Sequence, residues 1–444
     1  MIKQLLLIAF FIITCVSTKA QGIFESSETD SNNVEFNGFV RSSAFGGTEL
    51  YDYSSVFSEF CFQTKLSQDK TFLYSDLRFR TGLNFNEKYS VFQLKEAYAA
   101  YQSAKFDLFL GNQIITWGRT DGFNPTNNIT PNDYFFLTDD LDDQKLSNFM
   151  LRTKLRFTQN IDIEIIATPF YKPSNYRYDL FNIGENISYT DIILPEKTFE
   201  NISYATRLNF EYPKIGFSLS YFKGYSNFYG FDVQSIIFTT DNPEITNTPT
   251  PYLKNTIGAD FSLPIKSLIF RGEIAYNIIE DYEESIYIPN PDIAYVAALE
   301  YNIWNATVIF QYIGKYSLDF TILQEPSLEN PSDPYAQMQY AEDLIIYESE
   351  IFNRKIFYQQ EETNHAISIS INKNIAYNIL NIELSGYYNV TSEELMIRPK
   401  INWKITDMLS ATIGGAYMTG PEETVFNYSA PILSGIFIGL KASF

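Results

Sequence analysis

Residues 435–444 read GIFIGLKASF. Phe444, Ala442, Leu440, Ile438 and Ile436 fall on one face of an extended strand, and Ser443, Lys441, Phe437 and two glycines fall on the other. One face is apolar and the other is mixed. A strand of this kind, finishing on an aromatic with no polar tail, suits a wall with an apolar medium on one side and water on the other.

The first twenty residues, MIKQLLLIAFFIITCVSTKA, carry Lys3, an apolar run from Leu5 to Ile13 and small residues before Gln21, with Thr18 and Ala20 at the cleavage positions. This pattern predicts a secretory signal over 1–20. A lipoprotein reading would use Cys15, but Thr14 is a poor residue before a lipidated cysteine and the apolar run would be cut short. Beyond the signal no apolar stretch approaches the roughly 18 to 20 residues that a membrane-crossing helix needs. Cys61 is the one cysteine left after residue 20, so no internal disulfide is available.

Phe, Tyr and Trp make up 17% of the chain, while the mean hydropathy is slightly negative at -0.15. Many aromatics without overall hydrophobicity suit a membrane β-barrel, where alternate residues face lipid and aromatic girdles mark the interfaces. A large soluble β-sandwich or β-helix is the alternative. Segment spacing separates the two.

Segments of period-2 hydrophobicity lie near 34–43, 55–66, 70–83, 91–102, 105–116, 148–158, 161–170, 201–212 and 214–224. They continue near 254–264, 267–279, 292–302, 305–317, 363–372, 378–390, 394–404, 408–419 and 434–444. Tight turns such as Leu66-Ser67-Gln68-Asp69, Gln159-Asn160 and Pro213-Lys214 alternate with the long stretches 117–147, 171–200, 225–253 and 318–362. Short turns at one end and long loops at the other predict an all-β fold: a transmembrane antiparallel β-barrel of about eighteen strands, or sixteen. An even count returns both ends to the periplasmic side. The expected organisation is a signal at 1–20, a short periplasmic segment at 21–33 and a barrel over 34–444. With only Gln21 to Asn33 ahead of the first strand, a plugged, energised transporter is not expected.

The pattern of 434–444 then has a reason, because this strand must close the sheet against the first one and leave no unpaired edge in lipid. An alternating strand finishing on Phe444 also resembles the C-terminal signature of bacterial outer-membrane proteins. That resemblance implies recognition by the barrel assembly machinery, and outer-membrane lipid as a partner.

The chain holds 32 basic and 53 acidic residues, a formal charge of -21, which becomes -23 once the signal with Lys3 and Lys19 is removed. Such a balance speaks against nucleic-acid binding. Strand parity places Arg152, Lys154 and Arg156 on the lumen face of 148–158, and Arg78 and Arg80 on that of 70–83. It also places Arg41, Lys95, Arg207, Arg271, Arg398, Lys400 and Lys441 inside. Acids gather in the loops, among them Asp139, Asp140, Asp142 and Asp143. If the 117–147 loop folds into the barrel, these acids would face the Arg78, Arg80, Arg152, Lys154 and Arg156 group and set a transverse field across a constriction. The other reading is that lumen charges pair with one another and with water.

Residues 111–136 read GNQIITWGRTDGFNPTNNITPNDYFF, with turn signals at Asp121-Gly122, Asn124-Pro125 and Thr130-Pro131. The run G-x-Q-x-x-x-W-G followed by D-x-x-N-P resembles a segment at a similar point in families of large Gram-negative, porin-type outer-membrane barrels. The resemblance implies that Gln113, Trp117, Arg119, Asp121, Asn124 and Pro125 enter the lumen as a folded constriction; the loop acids Asp139 and Asp140 are added to them from the charge distribution alone. Asn112 stands where a basic residue would be expected, which weakens anion binding there. The aromatic and Asn/Ile-rich usage resembles proteins of the Bacteroidota. Asp139 to Asp143 lack the spacing of a calcium loop, and stacking of Trp117 on a sugar competes with ordinary loop packing.

The single histidine, His365, rules out a two-histidine metal site. Ser368 and Ser370 have the opposite strand parity to His365, and no nucleophile elbow or phosphate-cradling glycine loop is present. The chain reads as a non-enzymatic channel without cofactor or metal, passing small hydrophilic solutes by diffusion. The other function class is a plugged barrel, either a lipid or hydrophobic-compound export component or a subunit of an outer-membrane assembly. Asp343-Leu344-Ile345-Ile346-Tyr347, read as a short amphipathic helix in the largest loop, would favour it. A homotrimer or a larger outer-membrane complex would follow from family analogy alone.

Overall fold

The computed structural model describes residues 33–47, 53–181, 186–239 and 243–444; the signal at 1–20 and the segment up to residue 32 lie outside the described residues. The strands in chain order are β1 (Asn33–Gly46), β2 (Tyr53–Gln68), β3 (Thr71–Asn84), β4 (Glu87–Gln102), β5 (Phe106–Gln113), β6 (Asn148–Arg156) and β7 (Ile161–Thr168). Next come β8 (Ile187–Tyr189), β9 (Ser203–Tyr212), β10 (Ile215–Tyr225), β11 (Gly230–Phe238), β12 (Pro243–Thr250), β13 (Leu253–Ile265) and β14 (Leu268–Ile279). The last are β15 (Asp292–Ile303), β16 (Ala306–Ser317), β17 (Thr363–Ile375), β18 (Leu380–Asn389), β19 (Glu394–Lys404), β20 (Leu409–Thr419) and β21 (Gly435–Ser443). Among the described residues two α-helices, α1 (Pro334–Ile356) and α2 (Val425–Leu433), lie in loops.

Eighteen of these strands form one antiparallel sheet, and it closes because β1 pairs with both β2 and β21. Phe39 to Phe45 run opposite Ser443 to Phe437. Gly38 and Phe444 then exchange both backbone hydrogen bonds at 3.0 Å. The terminal aromatic is therefore part of the seam. Ile436, Ile438, Leu440 and Phe444 are exposed on the outer face while Phe437 is buried inside, as period-2 geometry requires. No helix among the described residues is long and apolar enough to cross a membrane; the crossing is made by strands.

Connections at one end hold two to four residues, among them 69–70, 157–160, 213–214 and 304–305. Trp304 and Asn305 both have positive φ, +49° and +59°, the conformation that matches a two-residue turn to the twist of its strands. Trp304, Tyr377 and Trp403 stand exposed at this end, as an interfacial aromatic girdle would. The other end carries the long loops. There β11 and β12 pair as a hairpin, and β8 adds to β12 in parallel, forming a separate three-stranded sheet that single-segment periodicity did not predict. In the largest loop, α1 starts on Asp333, whose carboxylate accepts from the Tyr335 N–H, with Pro334 in the first turn and Arg354 and Lys355 in the last.

Candidate functional site

The loop between β5 and β6, residues 114–147, folds into the barrel and is tied to both sides of the wall. On one side the anchor is Glu273 of β14. Its carboxylate accepts from the Thr120 N–H at 2.6 Å, the Thr120 hydroxyl at 2.7 Å and the Thr126 hydroxyl at 3.0 Å, and from the Arg119 N–H. Gly118 allows this approach: its φ is +109°, and a Cβ there would sit 2.5 Å from a Glu273 oxygen.

The Arg119 side chain continues down the wall. It donates to Asp260 of β13 at 2.6 Å, to Glu211 near the short-turn end of β9 at 2.5 Å, and to Ser218 of β10 at 3.2 Å. Arg207 of β9 shares Asp260 at 2.8 Å. Arg271 of β14 takes Asp121 at 2.7 Å and Glu300 of β15 at 2.5 Å. The loop thus reaches well below the extracellular rim.

The second half of the loop packs on the opposite arc. Asp143 lies 2.6 Å from Arg41 of β1 and 2.8 Å from Arg78 of β3. Burial raises the Asp143 carboxyl, but the Arg41 and Arg78 guanidiniums outweigh it and hold it down to about 2. Lys95 of β4 donates to the Asp143 carbonyl at 2.6 Å and to the Lys145 carbonyl. Arg398 of β19 donates to the carbonyls of Thr138 and Asp139 at 2.8 and 3.1 Å. Asp140 points along the loop instead, accepting from the Asp142 N–H at 3.1 Å to cap the short helical turn Leu141–Gln144.

Between the anchors the loop packs as a core. Trp117 and Ile129 are buried against Met150, Ile166, Ala205 and Phe222, with the Arg207 guanidinium 5.9 Å from the indole. Gln113 is buried and donates toward the Met150 and Gly111 carbonyls at 3.3 and 3.4 Å. Asn124 closes a turn on the Thr120 hydroxyl at 3.0 Å. Of the predicted loop residues, Arg119, Asp121 and Asp139 make charged contacts with the wall, Asp139 lying 3.5 Å from Arg41. Gln113 and Trp117 instead hold the loop in place.

The predicted transverse field is not built in the form expected. Asp143 touches Arg41 and Arg78 directly, so no gap separates those charges. Arg80 pairs with Glu59 at 2.7 Å and stacks on Phe136 at 3.7 Å. Arg152 pairs with Glu164 at 2.5 Å, Lys154 with Asp162 at 3.1 Å, and Arg156 with Asp107. The reason is parity. The alternation that sends cations inward sends Glu59, Asp76, Asp107, Glu164 and Asp260 inward too, so cation and acid share one face: Arg80 lies opposite Glu59 and Lys154 opposite Glu164 on neighbouring strands, and Arg78 lies two residues from Asp76 on its own. Reading acids on the same faces as the cations would have found them.

At the long-loop end, Phe426 of α2 packs with Ala366 and Tyr387, and its N–H donates to buried Glu394 at 2.8 Å. Phe123 of the inserted loop stacks on Tyr387 at 5.2 Å. Asn353 of α1 donates to the Phe231 carbonyl and accepts from its N–H, each at 2.8 Å. No sequence signal pointed to these contacts. His365 lies on the lipid-side parity of β17, 2.7 Å from the Tyr312 hydroxyl, away from the lumen. No cluster of potential metal ligands occurs among the described residues.

No family model and no curated protein matches this sequence. Solved structures do match in fold. OccK3 (OpdO) of Pseudomonas aeruginosa superposes with a TM-score of 0.54 at 10% identity, covering 93% of this chain and 96% of that one. The outer membrane protein opdK of Pseudomonas aeruginosa gives 0.52 at 7% identity, covering 93% and 98%. OccK2 (OpdF) of Pseudomonas aeruginosa, solved in complex with glucuronate, gives 0.51 at 6% identity, covering 93% and 97%. The fold is that of a bacterial outer-membrane barrel. At these identities the fold is what is shared.

Proposed function

We propose that this chain is a porin-like channel of the bacterial outer membrane, without catalytic activity, through which small hydrophilic solutes diffuse passively. The observation that carries the reading is the 114–147 loop, pinned across a polar lumen by Glu273 on one side and by Arg41, Arg78 and Arg398 on the other. A folded loop of this kind narrows a water-filled barrel without sealing it by a separate domain. Glucuronate bound in a barrel of the same fold supports the solute class. Closure of the sheet by β21 supports reading Phe444 as the mark met by the assembly machinery.

The test is single-channel conductance of the purified protein in a planar bilayer, with the reversal potential read in a salt gradient. Steady openings are the expected result, and a folded but silent barrel would sink the reading.

A second reading draws on Phe123, Tyr387 and Phe426, which bring two loops together inside the wall. On that reading the barrel is plugged and acts in export of hydrophobic compounds or as a subunit of an assembly. Shortening 420–434 would then turn a silent barrel into a conducting one.

A further inference from the structure

The lumen wall is not uniform around its circumference. Ion pairs and loop anchors crowd the inner faces of β1 to β4 and of β9 to β14. The periplasmic half of β16 to β20 is different. Inward positions on β17 are Asn364, Ala366, Ser368, Ser370, Asn372 and Asn374, with no charge among them, while Ile367 and Ile369 face lipid.

Register carries this character across the neighbouring strands. Ser370 lies opposite Ser385, and Asn374, Asn381, Asn402 and Thr412 follow one another across β17 to β20. Glu383 and Lys400 pair at 2.7 Å, and the third inward charge, Arg398 opposite Ser385, is turned to the inserted loop, where it donates to the Thr138 and Asp139 carbonyls at 2.8 and 3.1 Å. Asn381 donates to Asn372 and Asn374 at 3.0 and 2.8 Å, which orders the amides. Ser370, Ser385 and Asn402 are half-buried, and their side chains make no hydrogen bond to protein among the described residues. Their donors and acceptors face the water of the lumen.

We infer, resting on the channel reading above, that solutes travel along the β16–β20 wall and that the class admitted best is uncharged and polyhydroxylated, of sugar size. Amides and hydroxyls both donate and accept, so they can replace the hydration of solute hydroxyls one at a time. A row of such groups gives weak, repeated sites that a solute can leave as readily as it enters. An anion gains little from this arc, because its two inward cations are already held, Lys400 by Glu383 and Arg398 by the Thr138 and Asp139 carbonyls of the inserted loop.

The experiment uses the full-length protein in proteoliposomes and follows entry of glucose, glucuronate and glucosamine, which are close in size and differ in charge. Glucose entering fastest is expected. Faster entry of glucuronate or of glucosamine would overturn the inference while leaving the channel standing. So would a bilayer conductance with no sugar entry at all, whereas absence of both conductance and entry would instead overturn the channel reading.

The double variant Ser370→Leu with Ser385→Leu is expected to slow glucose roughly two- to tenfold, the scale of a lost hydrogen bond, with KCl conductance nearly unchanged. Unchanged glucose entry would overturn the path. Ser370→Asp, which keeps the site polar and has only Ile309 and Ser385 opposite it, is expected to move the reversal potential toward cation selectivity, and an unmoved potential would also overturn it.

Discussion

Arg78 of β3 donates to Asp143 of the inserted loop at 2.8 Å, joining residues 65 positions apart. The same guanidinium uses its other nitrogens on Asp76 at 2.9 and 3.0 Å. One planar fork therefore ties the loop to the wall and neutralises a wall acid, a geometry that a lysine would not reproduce.

Asp143→Asn removes the charge that holds Arg41 and Arg78. Hydrogen bonds to charged groups contribute about 1.5–3 kcal/mol each, while Arg41 and Arg78 keep Glu59 and Asp76 as partners, so the loss falls on the loop and not on the wall. The segment 138–145 is expected to loosen, seen as larger conductance noise and faster proteolysis within the loop. A quiet trace identical to that of the unchanged protein would show that Asp143 is not an anchor.

The pH dependence of this anchor has a defined sign. The Asp143 carboxyl is held down to about 2, below the ordinary aspartate value of about 3.9. Its contribution is therefore complete above about pH 4 and is lost as pH falls from about 4 through about 2. Conductance noise should stay constant from pH 7 to about 4 and rise below that. A rise confined to pH 5–7 would point to another group.

Gly118→Ala forces a side chain into a backbone with φ of +109° and against the Glu273 carboxylate. The cost should exceed about 1 kcal/mol. Gly122, with φ of +84° and nothing within 4 Å of a built Cβ, serves as the comparison, since its alanine variant meets the backbone penalty alone. Lower-temperature conversion of the folded to the unfolded band on semi-native gels, larger for Gly118 than for Gly122, is the expected result.

Phe426→Ala empties a buried site between Ala366 and Tyr387. Truncations of this kind cost about 3–5 kcal/mol in a well-packed core. Here the expected loss is concentrated on α2, which should become protease-sensitive while the barrel stays folded. Conductance is expected to rise, and an unchanged level would separate α2 from the solute path.

Much of the barrel was legible because its signal is local. Each of the eighteen segments read by alternation corresponds to a strand, with ends displaced by a few residues at most positions: 363–372 extends to Ile375, and 105–116 stops at Gln113. The stop at Gln113 was not visible because Ile114 and Ile115 keep the apolar pattern while their N–H groups turn to the Glu96 carboxylate and the Thr130 hydroxyl. The β8–β11–β12 sheet was hidden for a related reason, since β8 is three residues long and gains its partner only from a distant hairpin.

Alternation along the chain assigns residues to the lipid face or the lumen face, and with that the need for the sheet to close on itself. Alternation is a one-dimensional property, and it is enforced by the cost of leaving backbone groups unpaired in lipid. The electrostatics of the interior depend instead on which walls and loops meet across the lumen. Glu273 meets Thr120 across 153 positions, and Arg398 meets Thr138 across 260. Such pairings exist only once the sheet has closed and brought the walls around the loop, which turns a wall that reads as basic into one whose charges are largely matched.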